Sequence, residues 1–405
     1  MKAMCIDKDK NFVWEDVPDP ICHAEFDVKI RIRACALNRA DLMQRQGIYA
    51  PPEGWPLWPG LECAGDVLEC PANGRFKVGD KVCALLGGGG YAEEVVVPEG
   101  MVMPMPKGFD YWEAAGIPEV YATAYLNLKI VGGIQKGETF FINGGEGGLG
   151  IATTQLAKHV FGCKVVAQVA SDENGEFCKG VGADVVSNRF KDDLVKTLTE
   201  NPPNVAIDPV GGPLMGKCIA TMPYRGRWIS LASMAGPETT LDVNLLWRKN
   251  LRVIGSTLRS RTPEEKAEIL AGLVKDVFPA FEARMFAPFV HKVLPITEAL
   301  AAHGILAMHL PISGPPTGSI ATFGGFSVSV FTRSPVKRFT VMSAPTPRQN
   351  SPFSSEATCA ITFAPKTCFA SCVVAMPSPP SPPLMKKVSP CLISPTILRL
   401  RYAVA

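Results

Sequence analysis

The chain has 405 residues, 47% of them hydrophobic, which gives room for two domains with sizeable cores. Its net charge of +3 conceals a split: residues 309–405 hold nine Lys/Arg against one acid, Glu356, so the first 308 are net acidic. That balance excludes a nucleic-acid surface on the main body, and no stretch approaches the roughly 18 apolar residues of a membrane span.

No apolar signal segment follows "MKAMCIDKDK", so a cytoplasmic location is expected. Thirteen cysteines lie singly, without a C-x-x-C pair, and read as small buried hydrophobes. The five histidines, His23, His159, His291, His303 and His309, are isolated and read as structural or solvated.

In chain order, "DVKIRIRACAL" alternates apolar and polar residues in its first half, as a half-buried strand does. "GLECAGDVLEC", "KVGDKVCALL" and "GYAEEVVVPEG" repeat the theme between Gly and Pro breaks, predicting a mainly β, barrel-like domain. Near residue 110 the rhythm turns helical in "DYWEAAGIPEVYATAYLNLKIVGGI", with Asp110 and Glu113 spaced as a capping box.

Strand-then-helix units follow: "TFFIN" and "LGIATTQLAKHVF", "KVVAQVAS" and "ENGEFCKGVG", "DVVSN" and "KDDLVKTLTE", then "VAIDPV", "RWISLAS" and "LRVIGSTL". Such alternation predicts an α/β domain with a parallel sheet wrapped by helices. Thr262 and Pro263 mark the start of a further helix, after which "FVHKVLPI" and "TEALAAHGILA" return to the first domain. Beyond Met308, 97 residues with fifteen prolines predict a largely disordered tail, with a marginal strand at "GFSVSVFT".

The strand "TFFIN" runs into "GGEGGLG", a match to G-x-G-x-x-G between a strand and a helix. There the free N–H groups of the helix face whatever sits above Gly147, Gly148, Leu149 and Gly150, and a pyrophosphate is the usual occupant. Gly147 lets the phosphate approach the main chain, and Gly150 lets the helix pack close to the strand. Glu146 would repel that phosphate, so its side chain is expected to point to solvent.

The end of the next strand carries Val169, Ala170 and Ser171 where an NAD site usually has an acid; Asp172 comes too late in register. Arg189, past the third strand, either supplies a positive charge for a 2′-phosphate or sits on a solvated loop. The balance favours NADPH.

The chain resembles the zinc-independent quinone oxidoreductases of the medium-chain dehydrogenase/reductase superfamily, the zeta-crystallin-like group, over residues 1 to about 307. The resemblance rests on "ALNRADLMQRQGIYAPP", "PGLECAG", "GYAEE", "AAGIPEVYATAY", the glycine loop, "DPVGG", "GRWISLAS" and "STLRSR". It implies a GroES-like catalytic domain (1–124 and 287–308) interrupted by a Rossmann domain (125–286), with the site in the cleft between them.

Where zinc-using members carry a Cys and a His ligand, this chain has Asn38 and Leu61, so no metal is expected. By the resemblance, Asn38 and Asp41 organise a loop and Tyr49 lies against the nicotinamide, while Thr123, Val210, Ser233 and Leu258 line the cofactor. Without it, Asn38 and Asp41 fit a turn and Tyr49 a rim aromatic.

The expected activity is direct hydride transfer from NADPH to a quinone or enone, in a homodimer joined through the edge strand "RKNLRVIGSTL". An enoyl-thioester reductase and a non-catalytic NADPH-binding protein are the alternatives. Relatives of this kind end on a "GK" strand where this chain has "MHLPISGPPTGS". The charge flip and proline load there suggest an out-of-frame reading and the loss of an edge strand beside the cleft.

Overall fold

The computed structural model describes residues 1–23, 25–308 and 329–332. Strands β1 (Lys2–Ile6) and β2 (Phe12–Asp16) pair antiparallel. β3 (Asp27–Ala36) alternates buried and half-buried residues up to Ile32 and is then buried continuously from Ala34, so its far end enters the core. Helix α1 (Arg39–Gln46) follows and stops at Gly47, whose φ of 81° suits a residue without Cβ. β4 (Glu62–Glu69), β5 (Lys81–Leu85), β6 (Glu94–Pro98) and β7 (Val102–Pro104) complete the first β block.

The single helix expected after residue 110 is two, α2 (Tyr111–Ala115) and α3 (Pro118–Tyr125). Asp110 and Glu113 do form the capping box of α2. Pro118 has no N–H to continue that helix but fits the first turn of the next, which is why the break falls there.

The second block runs β8 (Thr139–Asn143), α4 (Gly148–Gln155), β9 (Lys164–Val169), α5 (Asp172–Val181), β10 (Val185–Asn188) and α6 (Leu194–Glu200). It continues with β11 (Val205–Asp208), α7 (Met215–Thr221), β12 (Arg227–Ser230), α8 (Val243–Arg248) and β13 (Arg252–Gly255). All pairs are parallel, in the order β10-β9-β8-β11-β12-β13.

The central strands are runs of fully buried Val, Ile and Phe, as a sheet covered on both faces requires. The chain leaves β8 towards β9 on one side and reaches β11 on the other, so a crevice opens between the carboxyl ends of β8 and β11. β13 is one of the two edge strands, with Arg252, Val253 and Gly255 exposed.

Helix α9 (Pro263–Glu282) begins with Thr262 Oγ1 accepting the Glu265 N–H at 3.2 Å. It packs so closely on the turn at Glu99–Met101 that a Cβ on Gly100 would come within 2.8 Å of Ala267 Cβ. β14 (Lys292–Pro295), α10 (Ala299–Met308) and β15 (Ser329–Thr332) end the described elements.

β14 joins the sheet of β3, whose seven strands run β14-β15-β3-β4-β5-β7 with β6 on β3. The marginal strand expected at "GFSVSVFT" is present as β15, inside the sheet rather than at its edge. β15 pairs parallel with β14 and antiparallel with β3, Val330 opposite Ala36 and Thr332 opposite Ala34. Ladder pairing uses main-chain groups, so an extended segment suffices whatever its side chains. β15 lies within "GFSVSVFT", and the disorder expected for the rest of 309–405 lies outside the described residues.

Among the described cysteines, Cys35, Cys63, Cys83, Cys163, Cys178 and Cys218 are buried, and Cys5, Cys22 and Cys70 half-buried.

Candidate active site

The glycine loop leaves the end of β8 at Asn143, and Gly147 caps α4 in extended conformation. Gly144 turns the chain at φ 86°. A Cβ on Gly150 would lie 2.3 Å from Gly144 O and 2.5 Å from Gly145 O, so this glycine is required by the loop's own carbonyls. A Cβ on Gly147 would meet nothing closer than Gly144 O at 3.5 Å. Its outer face is therefore clear of protein atoms, which fits a phosphate set against the main chain.

Asp208, at the end of β11, fixes the other wall of the crevice. Its Oδ1 accepts from Asn143 Nδ2 at 3.0 Å, Val210 N–H at 2.8 Å and Gly211 N–H at 3.0 Å. Val210 O in turn accepts the Ala235 N–H at 2.8 Å, bringing the loop of Ser233 alongside.

The expectation that Glu146 points to solvent is overturned. Glu146 is buried, and its Oε1 accepts the Ala170 N–H at 3.0 Å, at the end of β9. Burial pushes its carboxyl up, against the pull of main-chain N–H groups and the Arg189 charge. The unpaired N–H at the strand's end draws the side chain inward, a demand that composition does not reveal.

Ser171 caps α5, its Oγ accepting the Asn174 N–H at 3.1 Å. Asp172 accepts from Asn188 Nδ2 at 2.6 Å and from Lys191 Nζ. Arg189 stacks 4.7 Å from the Phe190 ring and has no hydrogen bond at its buried Nε. It is half-buried, and its charge interacts with that of Glu146.

Around Asn38 the structure assembles a buried acid cluster. Asn38 N–H donates to Asp41 Oδ2 at 2.7 Å, and Gly60 N–H to Asp41 Oδ1 at 2.9 Å. Asn38 Nδ2 donates to Glu62 Oε1 at 2.8 Å, whose Oε2 accepts the Glu119 N–H at 2.8 Å. Burial pushes Asp41 up to about 7, Glu62 to about 8 and Glu119 to about 7. Tyr91 is fully buried, with its hydroxyl 3.2 Å from His303 Nε2.

Tyr49 follows α1 after Gly47, and Arg259 crosses to it from beyond β13. The guanidinium lies 4.1 Å from the Tyr49 ring centre, and its Nη2 donates to Ala50 O at 2.8 Å. Lys266 Nζ donates to Arg259 O at 3.1 Å, holding the loop from beneath. Leu258, beside Arg259, is buried. Thr123 is half-buried on α3, its carbonyl accepting Asn127 Nδ2 at 2.7 Å.

Tyr49 and Leu258 thus meet through Arg259, and Val210 and Ser233 share one wall. Sequence reasoning overlooked Arg259, Glu62, Glu119 and Asp208, although each lies inside a motif it singled out.

Residues 24–107 match the alcohol dehydrogenase GroES-like domain, and residues 148–275 the zinc-binding dehydrogenase domain. The chain is 30% identical over 259 residues to the quinone oxidoreductase-like protein 2 homolog of Nematostella vectensis, covering 62% of this chain and 71% of that protein. To the quinone oxidoreductase of Homo sapiens it is 28% identical over 295 residues, covering 71% and 86%.

The quinone oxidoreductase of Thermus thermophilus, solved also with NADPH, superposes with a TM-score of 0.64 at 28% identity. That match covers 76% of this chain and 96% of the other. Among the described residues, no group of three or more His, Cys, Asp or Glu is placed to hold a metal ion. The chain belongs to the zinc-independent quinone oxidoreductases of the medium-chain dehydrogenase/reductase superfamily.

Proposed function

We propose that the protein is an NADPH-dependent reductase of quinones or other activated α,β-unsaturated carbonyls, acting as a homodimer in the cytoplasm. The observation that carries this reading is the contact of Arg259 with Tyr49 and Ala50, which joins the carboxyl ends of the parallel sheet to the loop after α1. It supports one continuous cleft from the glycine loop to Tyr49. The bound cofactor supplies a hydride, and the rest of the work is the chain's own.

The loop of Gly147, Gly148, Leu149 and Gly150 holds the diphosphate on main-chain N–H groups. Arg189 takes the 2′-phosphate beside Ser171, and Asp208 keeps the crevice wall in place for Val210 and Ser233. Tyr49, clamped by Arg259, lies against the nicotinamide and excludes water from the reacting face. Asn38 and Asp41 hold the loop that presents it. A quinone is already electrophilic, so this scheme asks for no Lewis acid.

NADPH binding is read by fluorescence titration, then its consumption with a simple ortho-quinone. Saturable consumption of NADPH over NADH supports the reading, and binding without turnover points to a non-catalytic role. Saturable consumption of NADH alone overturns the cofactor assignment. Sedimentation at micromolar concentration tests the dimer, for which exposed β13 is the proposed seam.

A further inference from the structure

A cavity of about 380 Å³ opens at the other end of the six-stranded sheet from the glycine loop, among Glu138, Arg225, Arg227, Asn250 and Arg252. Glu138 precedes β8, while Arg227 and Arg252 are the first residues of β12 and β13 and lie opposite each other in register. Like charges on facing positions repel.

One of them is balanced. Arg227 is buried and donates from Nη1 and Nη2 to the two oxygens of Glu138 at 2.9 and 2.7 Å, with Nε on Gly132 O at 2.8 Å. The Glu138 charge is spent on that pair. In the single chain Arg225 and Arg252 are exposed, Arg252 at the first position of β13 beside the proposed dimer seam; no ion pair with a described carboxylate joins either, and the Arg225 guanidinium lies 5.4 Å from the Tyr224 ring centre.

The turns bearing them are held rather than loose. Arg225 and Asn250 sit at φ 63° and 49°, a region side chains with Cβ rarely adopt. Arg225 N–H donates to Lys249 O at 2.7 Å, and Asn250 Nδ2 to Tyr224 Oη at 2.6 Å, tying one turn to the other. The result is a concave surface with two guanidinium groups that lack a carboxylate partner, each a planar fork suited to phosphate oxygens.

We infer that this cavity binds the phosphate or diphosphate group of a small molecule, at a site separate from the glycine loop. The inference does not depend on the activity proposed above. It is tested on the full chain with inorganic pyrophosphate, by phenylglyoxal modification of arginines mapped by peptide mass spectrometry.

Saturating pyrophosphate should slow modification of Arg225 and Arg252 at least about fivefold, while exposed Arg248 reacts at an unchanged rate. Equal slowing by potassium chloride of matched ionic strength, or equal slowing at Arg248, overturns the site. So does tighter protection by a single-stranded oligonucleotide, which would mark an extended polyanion surface. In calorimetry, R225A/R252A should lose this binding and R225K/R252K keep part of it. Unchanged binding in R225A/R252A counts against the inference.

Discussion

Glu146 Oε1 and the Ala170 N–H, 3.0 Å apart, tie the glycine loop to the end of β9 through a buried carboxylate. That carboxylate also faces the charge of Arg189, the residue assigned to the cofactor's 2′-phosphate. On that assignment, Glu146 and the phosphate would compete for one guanidinium. Glu146→Gln keeps an acceptor for Ala170 and removes the competing charge, so KM for NADPH should fall by about threefold while that for NADH stays. Arg189→Ala should raise KM for NADPH about tenfold, again sparing NADH. Steady-state kinetics with both cofactors decides it, and parallel changes for the two would refute the assignment.

Two glycines of the loop carry different loads. A Cβ at Gly150 strikes two carbonyls within 2.5 Å, whereas one at Gly147 has only ordinary contact. Gly150→Ala should cost about 1–3 kcal/mol of stability and distort the loop. Gly147→Ala should fold with an unchanged melting temperature yet bind NADPH at least about tenfold more weakly, because its methyl occupies the ligand's side. Thermal denaturation beside fluorescence titration separates the two effects. A destabilised Gly147→Ala with intact binding would reverse the roles.

The elements were legible wherever local pattern controls them. Alternation gave β3 and the buried apolar runs gave β8, β9 and β11, and the caps at Asp110 and Thr262 lie where their spacing put them. The glycine loop was legible for the same reason, since strand, turn and helix are neighbours in sequence. Glu146 was misread because its partner, the Ala170 N–H, is 24 residues away. Arg259 was passed over because Ala50 and Tyr49 are some 209 positions distant, and only closure of the cleft brings them into contact. Glu62 and Asp208 were passed over because nothing in their motifs shows that they are buried. β15 shows the reverse case, a strand whose sequence carries little signal and whose pairing comes from its neighbours.

Arg259 should act on the reaction rather than on the fold. Its guanidinium supports the Tyr49 ring and anchors Ala50, so Arg259→Ala frees that loop. The expected loss in kcat/KM is about 10–100-fold, with a small change in melting temperature. Arg259→Lys should recover little, since an ammonium has no planar face for the ring. Full activity in Arg259→Ala would detach Tyr49 from the cleft assigned to it.

The acid cluster makes stability fall as pH rises. Asp41 and Glu62 have ordinary values of 3.8 and 4.5, and burial pushes them to about 7 and about 8. An unfolded chain ionises both near pH 4, while the folded chain keeps their protons some three units further. The folded state binds more protons in that window, so the contribution is complete below about pH 4 and is lost through pH 7–8. Glu62→Gln removes the titrating charge, but both partners, Asn38 Nδ2 and the Glu119 N–H, are donors, so the amide NH2 forfeits one of the two hydrogen bonds at every pH. That loss is the same at all pH values, so the stability of Glu62→Gln relative to the parent should rise by about 2 kcal/mol between pH 5 and pH 8. Urea unfolding at the two pH values measures the difference. A Glu62→Gln protein whose stability follows the parent's pH slope unchanged would mean that Glu62 is already ionised in the fold, paired to a charge outside this cluster.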